Sequence, residues 1–308
     1  MSVELLISFL VTVVGASTPI LFAGLGELIT EKSGVLNLGV EGMMLVGALA
    51  GFVFTARTGN PWFGAVVAAA AGAGLGAIHA VLSVTLRANQ VASGLALTIF
   101  GTGLSAFLGR SYIGVPGTGF QTISFPLLGQ LPAVGPVFFQ QDPLVYLSYL
   151  AVPAAWYTLY RTRWGLQVRA VGESPEAADA MGVDVARLRF ACVVLGGTLA
   201  GLGGTFLSTA YTSMWIENMT AGRGWIAVAL VIFATWDPLR AAFGAYLFGG
   251  VNALQLHLQA TGAGVPTYLL LMAPYAFTIV VLVLASQGAA RKRLGAPAAL
   301  SVPYTRTG

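Results

Sequence analysis

Charge, cysteine and histidine are what this chain has little of. Lys, Arg, Asp and Glu make up 8% of its 308 residues, where soluble domains average about 25%, so a water-exposed surface of ordinary polarity is excluded. The single cysteine, Cys192, rules out an intrachain disulfide, and its place in an apolar run reads as a packed small side chain. His79 and His257 are distant in sequence, and with one cysteine they cannot build a zinc site. Each reads as a buried or interfacial ring with a local hydrogen bond. There is no G-x-S-x-G elbow and no H-E-x-x-H helix, so catalytic residues, metal and cofactor are all expected to be absent. The segment GELITEKS, from Gly26 to Ser33, has Gly26, Lys32 and Ser33 in register with a phosphate-binding loop. Glu31 stands where that loop needs glycine, and no strand precedes it, so ATP binding by this chain is not expected.

What the chain has in abundance is apolar length. It is 56% hydrophobic with a mean hydropathy of +0.81, and several uncharged windows exceed the roughly 20 residues that a helix needs to cross a hydrocarbon core. The expected fold is all-α and polytopic, with about 9 (8 to 10) membrane-spanning helices in a single domain over residues 1–308. Spans are expected over roughly Leu5–Leu25, from about Gly34 through Phe54, and over Trp62–Leu86, Ala88–Gly109, Leu144–Tyr160 and Phe190–Tyr211. Two more are expected over Leu239–Leu258 and Pro266–Ala285, separated by ATGAG. GELITEKS is expected to be the polar turn between the first two. The 13 residues GWIAVALVIFATW, between Arg223 and Asp237, are too few for a comfortable crossing and predict a short or broken helix. MSVELLISFL lacks a basic leader region and reads as a retained first helix. The spacings Gly47/Gly51, Gly72/Gly76 and Gly197/Gly201 suit close helix packing.

Two segments interrupt this pattern. Residues 110–142 hold no charge between Arg110 and Asp142 but many prolines and glycines, and read as a loop facing outward. Residues 161–190 hold nine of the chain's 26 charged side chains. Inside that segment Ser174 can cap a short helix, Pro175 suits its first position, Glu176 and Asp179 sit near its positive end, and Gly182 supplies a stop. Ala177, Ala178 and Met181 would then form a small apolar face, better suited to a protein groove than to lipid headgroups. The clusters at Arg161, Arg163, Arg169, Arg187 and Arg189 and at Arg291, Lys292 and Arg293 in the 287–308 tail should share the cytoplasmic side. The N-terminus is then outside, and the short Gly224–Trp236 segment must count as a crossing. The net charge of +4 is an orientation signal and not an affinity for nucleic acid.

Asn37 and Glu41, at i and i+4, are expected on one face of the second span. An ionisable group near the bilayer centre costs about 2.5–3.5 kcal/mol on insertion scales, so Glu41 should face protein or water. It either lines a translocation path or makes a structural hydrogen bond, such as a cap on a neighbouring helix. Asn89, Gln90 and Ser93, and Asn252 with Gln255 and His257, are further polar residues within or beside spans.

GVLNLGVEGMMLVGALAGF, from Gly34 to Phe52, resembles the signature of permease subunits of bacterial ABC importers in the branched-chain amino acid, simple sugar and nucleoside group. GESPEAADAMGVDVARLRF resembles that group's cytoplasmic coupling segment, with Pro175, Ala177, Ala178 and Gly182 matching P-x-A-A-x-x-x-G and Ser174 where asparagine is more usual. ANQVASGLALTIF and GRGWIAVALVIFATWDPLRAAFGAYLFGG are also similar, so the likeness runs from about Gly24 to Ala285 and is nearest the nucleoside branch. The resemblance implies a non-catalytic permease in the inner membrane that imports nucleosides or simple sugars, dimeric with a second permease, either a paralogue or a second copy. Two cytoplasmic ATPase subunits would use the ATP, and an extracytoplasmic binding protein or lipoprotein would deliver cargo. It places Asn37 with Glu41 near the conduit and has Glu176 to Met181, with Ala177 and Ala178, transmit force from the ATPase. Asn89, Gln90, Ser93 and Asn252 are further candidates for the pathway, and Glu173, Ser174, Pro175 and Gly182 complete the candidate coupling set. The alternative is a secondary transporter driven by a proton through Glu41.

Overall fold

Four helices of this protein start the same way. Asn60, Asp142, Ser174 and Asp237 each precede a proline and each accepts a hydrogen bond from a free N–H of the helix that follows, at 3.0 Å from Trp62, 2.9 Å from Leu144, 3.3 Å from Ala177 and 3.0 Å from Leu239. A capping oxygen together with a proline φ preset for helix fixes these starts locally. The computed structural model describes residues 3–261, 266–286 and 295–305. In chain order its helices are α1 (Val3–Lys32), α2 (Val40–Thr58), α3 (Pro61–Ala80), α4 (Gln90–Gly109), α5 (Pro143–Arg161), α6 (Arg163–Glu173), α7 (Pro175–Ala180), α8 (Val185–Phe206), α9 (Arg223–Phe233), α10 (Pro238–Ala260) and α11 (Thr267–Ser286). Among the described residues the strands are one antiparallel pair, β1 (Ile123–Ser124) and β2 (Gln140–Gln141), in the irregular 110–142 loop. The ATGAG turn and the Arg291–Arg293 cluster fall mostly or wholly outside the described residues.

Among the described residues, five helical stretches are long and apolar enough to cross a membrane: Val3–Lys32, Val40–Thr58, Pro61–Thr85, Gln90–Tyr112 and Val185–Tyr211. At their centre lies α8, and glycine is the reason. A methyl group on Gly47 would come within 2.5 Å of the Gly201 Cα, and one on Gly197 would meet the Gly72 carbonyl. The spacings noted in the sequence on three separate helices are therefore one seam, in which α2 and α3 touch α8 backbone to backbone. Ser208 adds a hydroxyl donation to the Ala48 carbonyl at 2.7 Å.

Three expectations are corrected. The first helix does not stop at Leu25. It continues through Glu27 and Glu31, both 1% exposed, to Lys32, and the stop is Gly34 at φ +90°. Asn37 and Glu41 do not share a helical face, because α2 begins only at Val40 and Asn37 lies in the preceding turn. The charged segment is not one loop around one helix: α6 fills its first half, and α8 begins at Val185 under an Asp184 cap, so Arg187 and Arg189 are helical.

The stretch between α8 and α10 is a broken pass. Trp215 packs with Phe52 near the far end of α2 and against Gly109 at the end of α4. Trp236 donates its indole N–H to Glu31 at the opposite end of the bundle, at 2.5 Å. Between them residues 213–222 are not helical, and α9 has 11 residues, a length of about 16 Å. Neither part could cross alone.

Candidate functional site

A helix that starts inside a bundle exposes the positive end of its dipole and four free N–H groups where there is no bulk water to meet them. For α9 the answer is Glu41. Its carboxylate, 5% exposed, accepts hydrogen bonds from the Thr220 hydroxyl at 2.5 Å, the Gly222 N–H at 2.8 Å and the Gly224 N–H at 2.6 Å. Glycine is required on both sides of this contact. Gly222 has φ +80°, and a Cβ on Gly224 would lie 2.6 Å from the Glu41 Cα. Of the two roles weighed for Glu41, the structure displays the cap on a neighbouring helix.

Beside this cap opens a cavity of about 560 Å³, bordered by Glu41 itself, Thr98 and Thr102 of α4, Asn218, Arg223 and Trp225 around the start of α9, Asn252 and Gln255 of α10, and Tyr275 of α11. Its carboxylate is already engaged, Glu41 being taken up as described, while Arg223 turns Nη1 onto the Met219 and Thr220 carbonyls at 3.2 and 3.1 Å and its buried Nε has no partner among the described residues. The Thr98, Thr102 and Tyr275 hydroxyls donate to the carbonyls of Leu38, Thr98 and Ala221. Among the described residues the side-chain amides of Gln255 and Asn218 have no hydrogen-bond partner. The cavity thus offers carboxamides and aromatic faces, its carboxylate already taken up and its guanidinium bound to neutral carbonyls.

Of the six residues assigned to a pathway in the sequence, Glu41 and Asn252 meet at this cavity. Asn37, Gln90 and Ser93 gather instead around the turn between α1 and α2. Asn37 accepts from the Gly39 N–H at 2.9 Å and its own N–H donates to Glu27 at 3.0 Å. Gln90 accepts from the Leu36 N–H at 2.8 Å, while the His79 ring bridges Ser93 at 2.9 Å and the Leu36 carbonyl at 3.0 Å. Asn89 is an exposed cap that accepts from the Ala92 N–H. Sequence reasoning missed the pair Glu27 and Glu31, taken as part of a turn because of their charge. Lys32 followed by Gly34 was the available signal that the helix ran on to that point.

At the end of the bundle where α1 finishes, α7 begins under the Ser174 cap and stops at Gly182, φ +85°. Glu173, Glu176, Ala177, Met181 and Gly182 are exposed, but Pro175 is buried, and Ala178, 5% exposed, joins the core cluster of Val168, Val171, Val185 and Leu188. The outward face of α7 is therefore narrower than the sequence suggested, without Ala178.

With this geometry in place, the comparisons are specific. A family model described as branched-chain amino acid transport system / permease component matches residues 9–285. A Haloferax volcanii permease, provisionally named for glucose ABC transport, is 49% identical over 95% of this chain and 96% of its own. A nucleoside ABC transporter permease of Lactococcus lactis is 37% identical over 87% and 89%, and a guanosine ABC transporter permease of Bacillus subtilis is 33% identical over 94% of each. No solved structure matches.

Proposed function

This chain belongs to the family of branched-chain amino acid transport permease components, and from that membership we propose that it is the membrane subunit of an ATP-driven importer that passes nucleosides through the cavity beside Glu41. The carrying observation is that the carboxylate of this polar cavity is occupied while its amides are not. Glu41 is spent on the start of α9, so the ammonium group of a desolvated zwitterionic amino acid would find no free anion there. The unpartnered amides of Asn218 and Gln255, next to Trp225 and Tyr275, suit a neutral solute with a planar face and hydrogen-bonding edges. Simple sugars are the second reading, favoured by the glucose-named relative.

On this proposal ATP is hydrolysed by separate cytoplasmic subunits that dock at α7, and the second permease is a paralogue or another copy of this chain. Cargo arrives from an extracytoplasmic binding protein or lipoprotein. The coupling segment and C-terminal tail face the cytoplasm and the N-terminus lies outside, with the broken pass counted as a crossing. Family membership favours this over a proton-driven transporter. The test is uptake of radiolabelled nucleoside, glucose and leucine into proteoliposomes holding the whole complex, with and without internal ATP. ATP-dependent nucleoside uptake is the expected result. Leucine uptake alone would refute the solute reading, and uptake by this chain alone in a pH gradient would refute the ATP-driven one.

A further inference from the structure

A six-residue helix is a small handle for a large machine. Stable protein interfaces enlist about 20–30 residues a side, while α7 offers Glu176, Ala177 and Ala180, with the adjoining Glu173, Met181 and Gly182. The segment 295–305 lies beside it and beyond the family match at residues 9–285. Its backbone is tied to the root of α7 on one side and to α8, the helix that follows α7, on the other. The Ala299 N–H donates to the Gly172 carbonyl at 2.9 Å, two residues before the Ser174 cap. On the other side Arg189 of α8, 2% exposed, donates to the Val302 carbonyl at 3.1 Å and to the Ser33 carbonyl at 3.0 Å, and the Ser301 N–H reaches the Gly34 carbonyl at 3.1 Å. Leu300 and Tyr304 pack on the cluster that holds Ala178, Val171 and Leu188. Between Tyr304 and the end of α7 opens a cavity of about 310 Å³, also bordered by Asp179, Gly182 and Arg87.

We propose that residues 295–305 are a second element of the coupling surface: they tie the N-terminal root of α7 to α8 and to the turn after α1, and with α7 they form the face on which the ATPase subunit docks, the 310 Å³ cavity receiving one of its side chains. This rests on the ATP-driven reading. A helix of six residues that rests on little beyond Pro175 and Ala178 opens locally at low cost. Tied down through Gly172 and Arg189, it transmits displacement as a rigid lever.

The experiment compares the wild-type chain with one ending at residue 294 and with the variants Ala299→Pro, which removes the N–H given to Gly172, and Tyr304→Ala. In the complete complex, the ATP hydrolysed per solute imported should rise about tenfold for the truncation and for Ala299→Pro, and less ATPase should co-purify. In the permease alone, hydrogen exchange at residues 174–182 should speed up by at least about tenfold in the same two variants. If the truncated chain does not accumulate, Ala299→Pro and Tyr304→Ala decide. An unchanged coupling ratio with unchanged exchange would overturn the proposal. Faster exchange in a preparation whose wild-type complex shows no ATP-driven uptake would uphold the brace and count against the importer reading instead.

Discussion

Glu41 gives two oxygens to three donors, and that ratio sets what its replacement should do. In Glu41→Leu the Thr220 hydroxyl and the Gly222 and Gly224 N–H groups lose their acceptor, at about 1–3 kcal/mol for each buried donor left unmade. The variant should melt well below wild type in detergent. Glu41→Gln keeps one acceptor and introduces an NH₂ among donors, so it should fall between the two; thermal unfolding followed by tryptophan fluorescence orders the three. The other end of α9 invites a parallel test. Trp236→Phe keeps most of a 3% exposed side chain but leaves the Glu31 oxygen without its indole donor, for an expected loss of about 1–3 kcal/mol. Equal melting of Trp236→Phe and wild type would show that this hydrogen bond contributes nothing net.

Helices meet here through absent side chains, and α3 displays the contrast within three residues. A Cβ on Gly72 would strike the Gly197 carbonyl, whereas one on Gly74 would meet nothing within 4 Å. Gly72→Ala should therefore push α3 off α8 and destabilise by about 1–3 kcal/mol, while Gly74→Ala should gain up to about 1 kcal/mol from helix propensity. Comparative melting settles the pair. The same scale explains what was legible in the sequence. Ser174-Pro175 and Gly182 mark the ends of α7 in plain text, because caps and stops act within a few residues. That Ala178 turns inward was not legible, because it depends on α6 and α8 closing over it. Ala178→Glu should accordingly cost about 3 kcal/mol or more by burying a charge, whereas Met181→Asp, at 85% exposure, should leave the melt unchanged and weaken ATPase retention. A normal melt for Ala178→Glu would contradict its burial.

For the molecule as a whole, hydropathy carried the count and polarity carried the detail. Long apolar windows announced the passes, and the 13 residues between Arg223 and Asp237 announced a short one. What hydropathy could not reveal was the pairing of α1 and α2 with α9. Glu27, Glu31 and Glu41 look like charges at the edges of spans until the fold brings Asn37, Trp236 and Gly222 to them. The broken pass is short, and buried carboxylates anchor both of its ends, Glu41 at the start of α9 and Glu31 beyond its finish.

One such anchor bears on how the machine can be driven. Glu41 and Arg223 sit together at the start of α9, one formal negative charge beside one positive. Any excursion of α9 that carries its cap along moves no net charge through the electric field of the membrane. A single uncompensated charge would gain or lose about 2.3 kcal/mol per 100 mV; this pair gains nothing. Voltage therefore does no net work on that pair, and an imposed potential should alter ATP-driven uptake into proteoliposomes less in wild type than in Glu41→Gln, which leaves the Arg223 charge without its neighbour.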